Sequence, residues 1–270
     1  MGKRVLTSII GIPLFLFIVY KGNWWLVLSV MLLAVLAWKE YVALLQKMGI
    51  SVWFCLGILG VLGWPLAAYA VSKGEKEAAL FYLALTFFFT AWGLLAYPKV
   101  NLEKASATFW GQIYTGALLS HLILLRQAEN GFFWVIAVLG TTWASDTFAY
   151  LVGKRWGKHR IWPQISPSKT LEGTVGGMVG GISAGAFLLS CFPQWGGPAA
   201  PFSSALGLLT ATAIAAPAGD LAESVLKRLA GVKDSGALLP GHGGILDRFD
   251  SLFFTFPTAY YVLCLYSFFN

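Results

Sequence analysis

Six carboxylates mark where this sequence can do chemistry. Asp146, Glu172, Asp220, Glu223, Asp247 and Asp250 all lie within or beside apolar stretches. A charge at mid-bilayer costs about 2.5–3.5 kcal/mol on insertion scales, so such acids are kept for function or held in pairs. Asp220, Glu223 and Lys227 follow i, i+3, i+7 spacing, one face of a helix, and Asp247 and Asp250 are again three apart. Carboxylates from different helices facing one cavity suit a hard divalent cation: Mg2+ takes one or two protein carboxylates and leaves its other positions to waters and phosphate oxygens. Lys169, Lys227, Arg228, Lys233 and Arg248 are near enough in the chain to grip phosphates. Acid-held metal beside a basic clamp equips a site for phosphoryl or nucleotidyl transfer. The plainer reading pairs each acid with a neighbouring cation at a helix end. It serves as well for any one acid and less well for six that converge.

Two loops supply the remaining polar groups. Gly231 to Asp250 is rich in glycine around His242, which permits positive φ and close approach to a ligand. His242 could bind phosphate, exchange a proton or cap a helix; phosphate contact ranks first and metal ligation last, because Mg2+ rarely takes imidazole. The other loop, Gly153 to Thr170, opens with a basic cluster best read as topogenic charge and anionic-lipid contact. Its end differs: Ser166, Ser168 and Thr170 surround Lys169 ahead of a helix N-terminus, an arrangement of hydroxyls, an ammonium and free N–H groups suited to an anion. Beyond it, Gly173, Gly177, Gly181 and Gly185 recur every fourth residue. Such a stripe lets another helix approach, as an internal seam or an oligomer contact.

These groups must be positioned by membrane spans. The 270 residues are 57% hydrophobic and only 11% charged, with mean hydropathy +0.70. An ordinary soluble domain is about 25% charged, so a soluble globular enzyme, a disordered tail and a secreted disulfide scaffold are excluded. Unbroken apolar runs exclude a transmembrane barrel. The three cysteines lie apart in apolar stretches and imply neither disulfide nor zinc. Apolar segments fall at roughly 5–20, 24–38, 51–71, 78–97, 107–126, 131–152, 173–192, 202–226 and 244–269, each near the roughly 20 residues that cross a bilayer. The first is expected to be a retained span rather than a leader. With nine spans, the loops on the side of the N-terminal tail hold fourteen Lys and Arg, and those on the other side hold four. The positive-inside rule then puts the N-terminus in the cytoplasm and the C-terminus outside. This topology brings all six acids to the cytoplasmic ends of four helices. The +7 charge is thus topological, and no nucleic acid is expected.

The expected fold is all-α, a polytopic integral membrane protein of about nine helices. Residues 1–135 read as a bulky, aromatic scaffold. Residues 136–270 read as the catalytic part, with cytoplasmic loops 153–170 and 227–243, in one continuous membrane domain.

The run Ser224-Val-Leu-Lys227-Arg228, then Lys233-Asp234, Gly236, Leu239-Pro240, His242-Gly243-Gly244 and Asp247-Arg248-Phe249-Asp250 resembles the signature of phosphatidate cytidylyltransferases (CDP-diacylglycerol synthases) over 27 residues without a gap. Asp146 to Tyr150 with Gly153-Lys154, and Ser166 to Gly173, resemble further blocks of that family, so the likeness spans about 140–250. The resemblance implies the Mg2+-dependent reaction of CTP with phosphatidic acid to give CDP-diacylglycerol and pyrophosphate in a cell membrane, on its cytoplasmic side. The partners implied are CTP, phosphatidic acid and membrane lipids. A second cation and a homodimer stay open. With this chemistry in view, Asp220 and Asp247 are the leading metal ligands, with Glu223 an alternate ligand and Asp250 a catalytic neighbour. Lys169, Lys227, Arg228 and Arg248, with Ser166 and Ser168, are expected at phosphates. His242, Gly243 and Gly244 are expected near the pyrophosphate, and Asp146 at the nucleotide or a basic residue.

Two rivals make different predictions. A CTP-dependent lipid kinase would attack the γ-phosphorus and release CDP. A cation- or proton-coupled transporter would spread its acids through the membrane depth and show inverted repeats; neither is visible here.

Overall fold

The computed structural model describes residues 2–77, 80, 82, 84, 101–191, 202–236 and 243–269. The described residues are helical, apart from turns and one isolated bridge between Arg160 and Thr170. In chain order the helices are α1 (Gly2–Lys21), α2 (Asn23–Lys47), α3 (Phe54–Ser72), α4 (Leu102–Gln112), a π-turn (Ile113–Ala117), α5 (Leu118–Gln127), α6 (Gly131–Trp156), α7 (Leu171–Cys191), α8 (Phe202–Leu229), the single turn α9 (Leu246–Phe249) and α10 (Leu252–Phe269). Five of them, α2, α3, α6, α7 and α8, are long and apolar enough to cross a membrane. Two shorter apolar stretches, Ile9–Lys21 and Leu252–Tyr266, lie in α1 and α10. Only helices satisfy every backbone group internally, so apolar runs of this length take that form in lipid.

Two expected spans differ in detail. The segment 107–126 is helical but interrupted by the π-turn, and the Thr115 and Ser120 hydroxyls bond back to the carbonyls of Gly111 and Gly116 at 2.7 Å. The segment 244–269 is not one helix. It starts with α9 and restarts at Leu252, which moves Asp247 into a separate turn and Asp250 into the break. The expected span 78–97 falls largely outside the described residues.

The described chain forms two compact units, Met1–Leu124 with Leu226–Arg248, and Leu125–Val225 with Phe249–Asn270. In the first, α2 buries Trp38 completely. A side chain at Gly57 of α3 or Gly111 of α4 would collide with the Trp38 ring, so these glycines admit the indole. Tyr41, one turn further on, donates to the Ala107 carbonyl at 3.1 Å.

In the second unit the glycine stripe of α7 forms an internal seam with α6. A Cβ at Gly177 would stand 2.7 Å from the Ser145 carbonyl and 2.8 Å from the Ala149 Cβ, and one at Gly181 would stand 3.0 Å from the Thr141 carbonyl. Steps of four on α7 thus meet steps of four on α6, as close packing without a hydrophobic driving force requires. The neighbour at Gly177 is backbone and cannot swing away. Gly177→Val should therefore destabilise the detergent-solubilised protein by roughly 2–3 kcal/mol, whereas Gly11→Ala, whose Cβ would meet nothing, should be neutral. Thermal unfolding of both variants checks this, and an unchanged midpoint for Gly177→Val would refute the seam.

Candidate active site

The seam holds the start of α7, just after Lys169, beside the end of α6. Thr170 is the N-cap of α7: its hydroxyl accepts from the Gly173 N–H at 3.1 Å. Glu172, in the first turn, accepts from the backbone N–H groups of Lys158 (3.1 Å) and His159 (3.2 Å) and sits 2.5 Å from His159 Nδ1. The Leu171 N–H donates to the His159 carbonyl at 2.8 Å. The basic loop is therefore folded back onto its own helix. Two corrections follow. Glu172 clasps this loop instead of joining the other acids, and the N–H groups of Leu171 and Gly173, expected to be free for an anion, are already engaged. Ser166 closes a turn by accepting from the Lys169 N–H at 3.2 Å, and Ser168 is exposed.

Lys169 itself reaches α8, its Nζ 2.8 Å from Asp220 Oδ2. The Ser224 hydroxyl donates to Asp220 Oδ1 at 3.3 Å. Gly219 lets the Asp250–Ser251 backbone pack against α8: a Cβ there would strike the Asp250 carbonyl and stand 2.9 Å from Ser251 Cα. Asp146 on α6 lies within electrostatic reach of Asp250, Asp220 and Lys169. Asp220, Asp250 and Lys169 thus all lie near Asp146. Glu223, a turn beyond Asp220, is completely buried in α8.

The first unit holds the rest of the signature. Lys227 Nζ lies 2.7 Å from Asp247 Oδ1, with both side chains largely buried. Asp247 Oδ2 accepts from the Ser235 N–H (2.9 Å), the Ser235 hydroxyl (2.8 Å) and the Gly244 N–H (2.9 Å). Hydrogen bonds to an ionised carboxylate are the strong ones, so this acid organises its loop. Gly243 takes φ +81°, and a Cβ on it would stand 2.7 Å from Asp247 Oδ2. The left-handed conformation and the missing side chain are both required there. Arg228 donates to the Val232 carbonyl at 3.0 Å and tightens the exit from α8; Arg248 is exposed on α9. His242 lies outside the described residues.

Two residues here went unnoticed in the sequence. Ser235 bridges Asp247 and Glu40, and Glu40 is a buried acid of α2. The rule that singled out the other six acids applies equally to Glu40, which follows the apolar run of α2, and was the signal available.

Both leading candidates for metal ligation are paired with lysine, as the plainer reading expects. The donor set still fits Mg2+. Asp146, Asp220 and Asp250 outnumber the one lysine among them, an excess of negative charge that a divalent cation offsets. Among the described residues no three acid, His or Cys side chains are arranged to hold an ion by themselves. Mg2+ does not need such a cage, since waters and phosphate oxygens fill most of its positions.

Apolar helices long enough to span a membrane, with Lys–Asp pairs among their residues, define a helical membrane protein. Comparison with known proteins makes this specific. The cytidylyltransferase family model matches residues 2–266, and the chain belongs to that family. Proteins named phosphatidate cytidylyltransferase match along nearly their whole lengths. That of Staphylococcus saprophyticus is 34% identical over 261 residues, covering 95% of this chain and 96% of that one. That of Bacillus subtilis is 32% identical over 273 residues, 99% of each. That of Staphylococcus haemolyticus is 33% identical over 264 residues, 95% and 96%.

Proposed function

We propose that this protein transfers the cytidylyl group of CTP to phosphatidic acid, forming CDP-diacylglycerol and releasing pyrophosphate, with Mg2+ as cofactor. The observation that carries this reading is the pairing of two lysines with two aspartates, Lys169 with Asp220 and Lys227 with Asp247, in a chain of the cytidylyltransferase family. A phosphatidic acid phosphate is already ionised near neutral pH and needs no strong general base. Its oxygen forms a bond to the α-phosphorus of CTP, the bond from that phosphorus to the bridging oxygen of the β-phosphate breaks, and the electron pair leaves with pyrophosphate. What remains for the protein is to bring two anions together and stabilise the leaving group.

Lys169 and Lys227 exchange their carboxylates for phosphate oxygens, Arg228 and Arg248 add positive charge, and Ser166 and Ser168 line the approach to Lys169. His242, Gly243 and Gly244 accompany the pyrophosphate. Asp146 and Asp250 hold Lys169 and neighbouring cations in place. Mg2+, when bound, neutralises charge on the triphosphate and on the departing pyrophosphate. Asp220 and Asp247 are the residues that would hold it, with Glu223 as an alternate.

The nine-span topology, N-terminus inside and C-terminus outside, belongs to the same reading, as does the division into a scaffold at 1–135 and a catalytic part at 136–270. Its support is the fourteen-to-four split of Lys and Arg between alternate loops. CTP is cytosolic and acyl chains stay in the bilayer, so the site belongs at the cytoplasmic interface of the cell membrane. A homodimer is compatible with it and is not needed for the chemistry.

Labelled CTP and phosphatidic acid, given to inverted membrane vesicles with and without Mg2+, test the proposal. CDP-lipid and pyrophosphate should appear only with Mg2+, and chelation should abolish them. Phospholipid with CDP as the product would establish the kinase instead. Turnover only in right-side-out vesicles would overturn the cytoplasmic placement.

A further inference from the structure

We infer that Glu40, an acid of the N-terminal half, is a positioning residue for Asp247 and so for use of the nucleotide; this rests on the function proposed above. The geometry is confined to the first compact unit. Glu40 Oε1 accepts from the Ile245 N–H at 2.9 Å, and Oε2 accepts from the Leu246 N–H at 2.9 Å and lies 3.1 Å from the Ser235 hydroxyl. Those two N–H groups open α9, the turn that carries Asp247. A helix start leaves such donors without intrahelical partners, and a carboxylate there both satisfies them and opposes the positive end of the turn.

Two signature glycines exist for this contact. A Cβ on Gly236 would stand 2.7 Å from Glu40 Oε1, and one on Gly244 would strike Glu40 Oε2 and the Ser235 hydroxyl. Gly244 also donates to Asp247. Glu40, Ser235, Gly244 and Asp247 therefore form one hydrogen-bonded knot. Glu40 lies outward of Asp247 in that knot and, acting through it, need not touch substrate.

Glutamine is the informative substitution. Glu40 receives donors on both oxygens, whereas an amide has one oxygen and one NH2. Whichever way the amide is turned, its NH2 opposes a backbone N–H of α9.

Glu40→Gln and Ser235→Ala in the full-length protein, alone and combined, provide the test. Hydrogen exchange over residues 243–249, measured without substrates, should speed up roughly tenfold in Glu40→Gln, the scale of one charge-assisted hydrogen bond. kcat/KM for CTP should fall by a similar factor, while KM for phosphatidic acid stays within about twofold. Because both residues act through one hydroxyl, the double variant should lose less than the product of the single losses. Wild-type exchange and wild-type kcat/KM for CTP in Glu40→Gln would overturn the inference. So would equal losses toward both substrates with an unfolding midpoint lowered in proportion, which mark a general packing role. Wild-type protein that released no pyrophosphate from CTP would overturn the function alone; the exchange measurement still decides on Glu40.

Discussion

Asp247→Asn is expected to lower CDP-lipid formation by about 10²–10³-fold in purified protein, the range found when one preorganised electrostatic group is removed from a reaction site. The Asn oxygen can keep the three donors now on Oδ2, from Ser235 and Gly244, while its NH2 turns toward Lys227. The loop then keeps its shape, while the loss of charge should lower turnover and Mg2+ dependence and the unpaired Lys227 should lower the unfolding midpoint. The double variant Lys227→Met, Asp247→Asn separates a reacting carboxylate from a structural ion pair. Removing both members of a buried pair is often harmless to stability, whereas removing one is costly. If Asp247 serves only as the partner of Lys227, the double variant should regain activity. Recovery to within about tenfold of wild type would end the proposed roles of both residues; continued inactivity with a restored unfolding midpoint shows that the pair does more than hold the fold.

Lys169→Gln should cost a comparable factor, about 10²–10³-fold in kcat/KM for CTP, by a different route. Lys169 faces Asp220 at 2.8 Å and lies within electrostatic reach of Asp146. Without it, the Asp146, Asp220 and Asp250 group loses its positive counterpart and its clamp for phosphate. CTP should therefore bind worse while half-saturation by Mg2+ moves to lower concentration. A higher Mg2+ requirement, or kcat/KM within a few-fold of wild type, would show that the lysine serves only to seat α7 on α8.

The apolar run lengths and the scarcity of charge made the helical membrane fold legible, because both are local properties of the chain. The glycine stripe of α7 was equally legible as a packing face, but its partner was not. Only the structure shows that the carbonyls of Thr141 and Ser145 on α6 fill it. Lys169 and the signature acids could be picked out by type and spacing. Their pairings were less accessible: the neighbourhood of Lys169 suggested an anion site on free N–H groups, yet Thr170 and the His159 carbonyl already use them. Glu172 looked like the other acids and differs because the loop before it turns back within hydrogen-bond reach. Glu40 was hardest to see. Its partners lie 195, 205 and 206 residues away, and no periodicity links positions that far apart.

That separation also has a consequence for how the protein is made. Glu40 leaves the ribosome early, whereas Ile245 and Leu246 emerge about 10–40 seconds later at ordinary rates of translation. Throughout that interval α2 carries a carboxylate whose eventual donors do not yet exist, and the signature segment is the last long stretch to arrive. A growing chain can thus settle its spans in the bilayer while still unable to bind nucleotide. On the function proposed above, competence waits for that later segment, whose backbone N–H groups are tied back to α2.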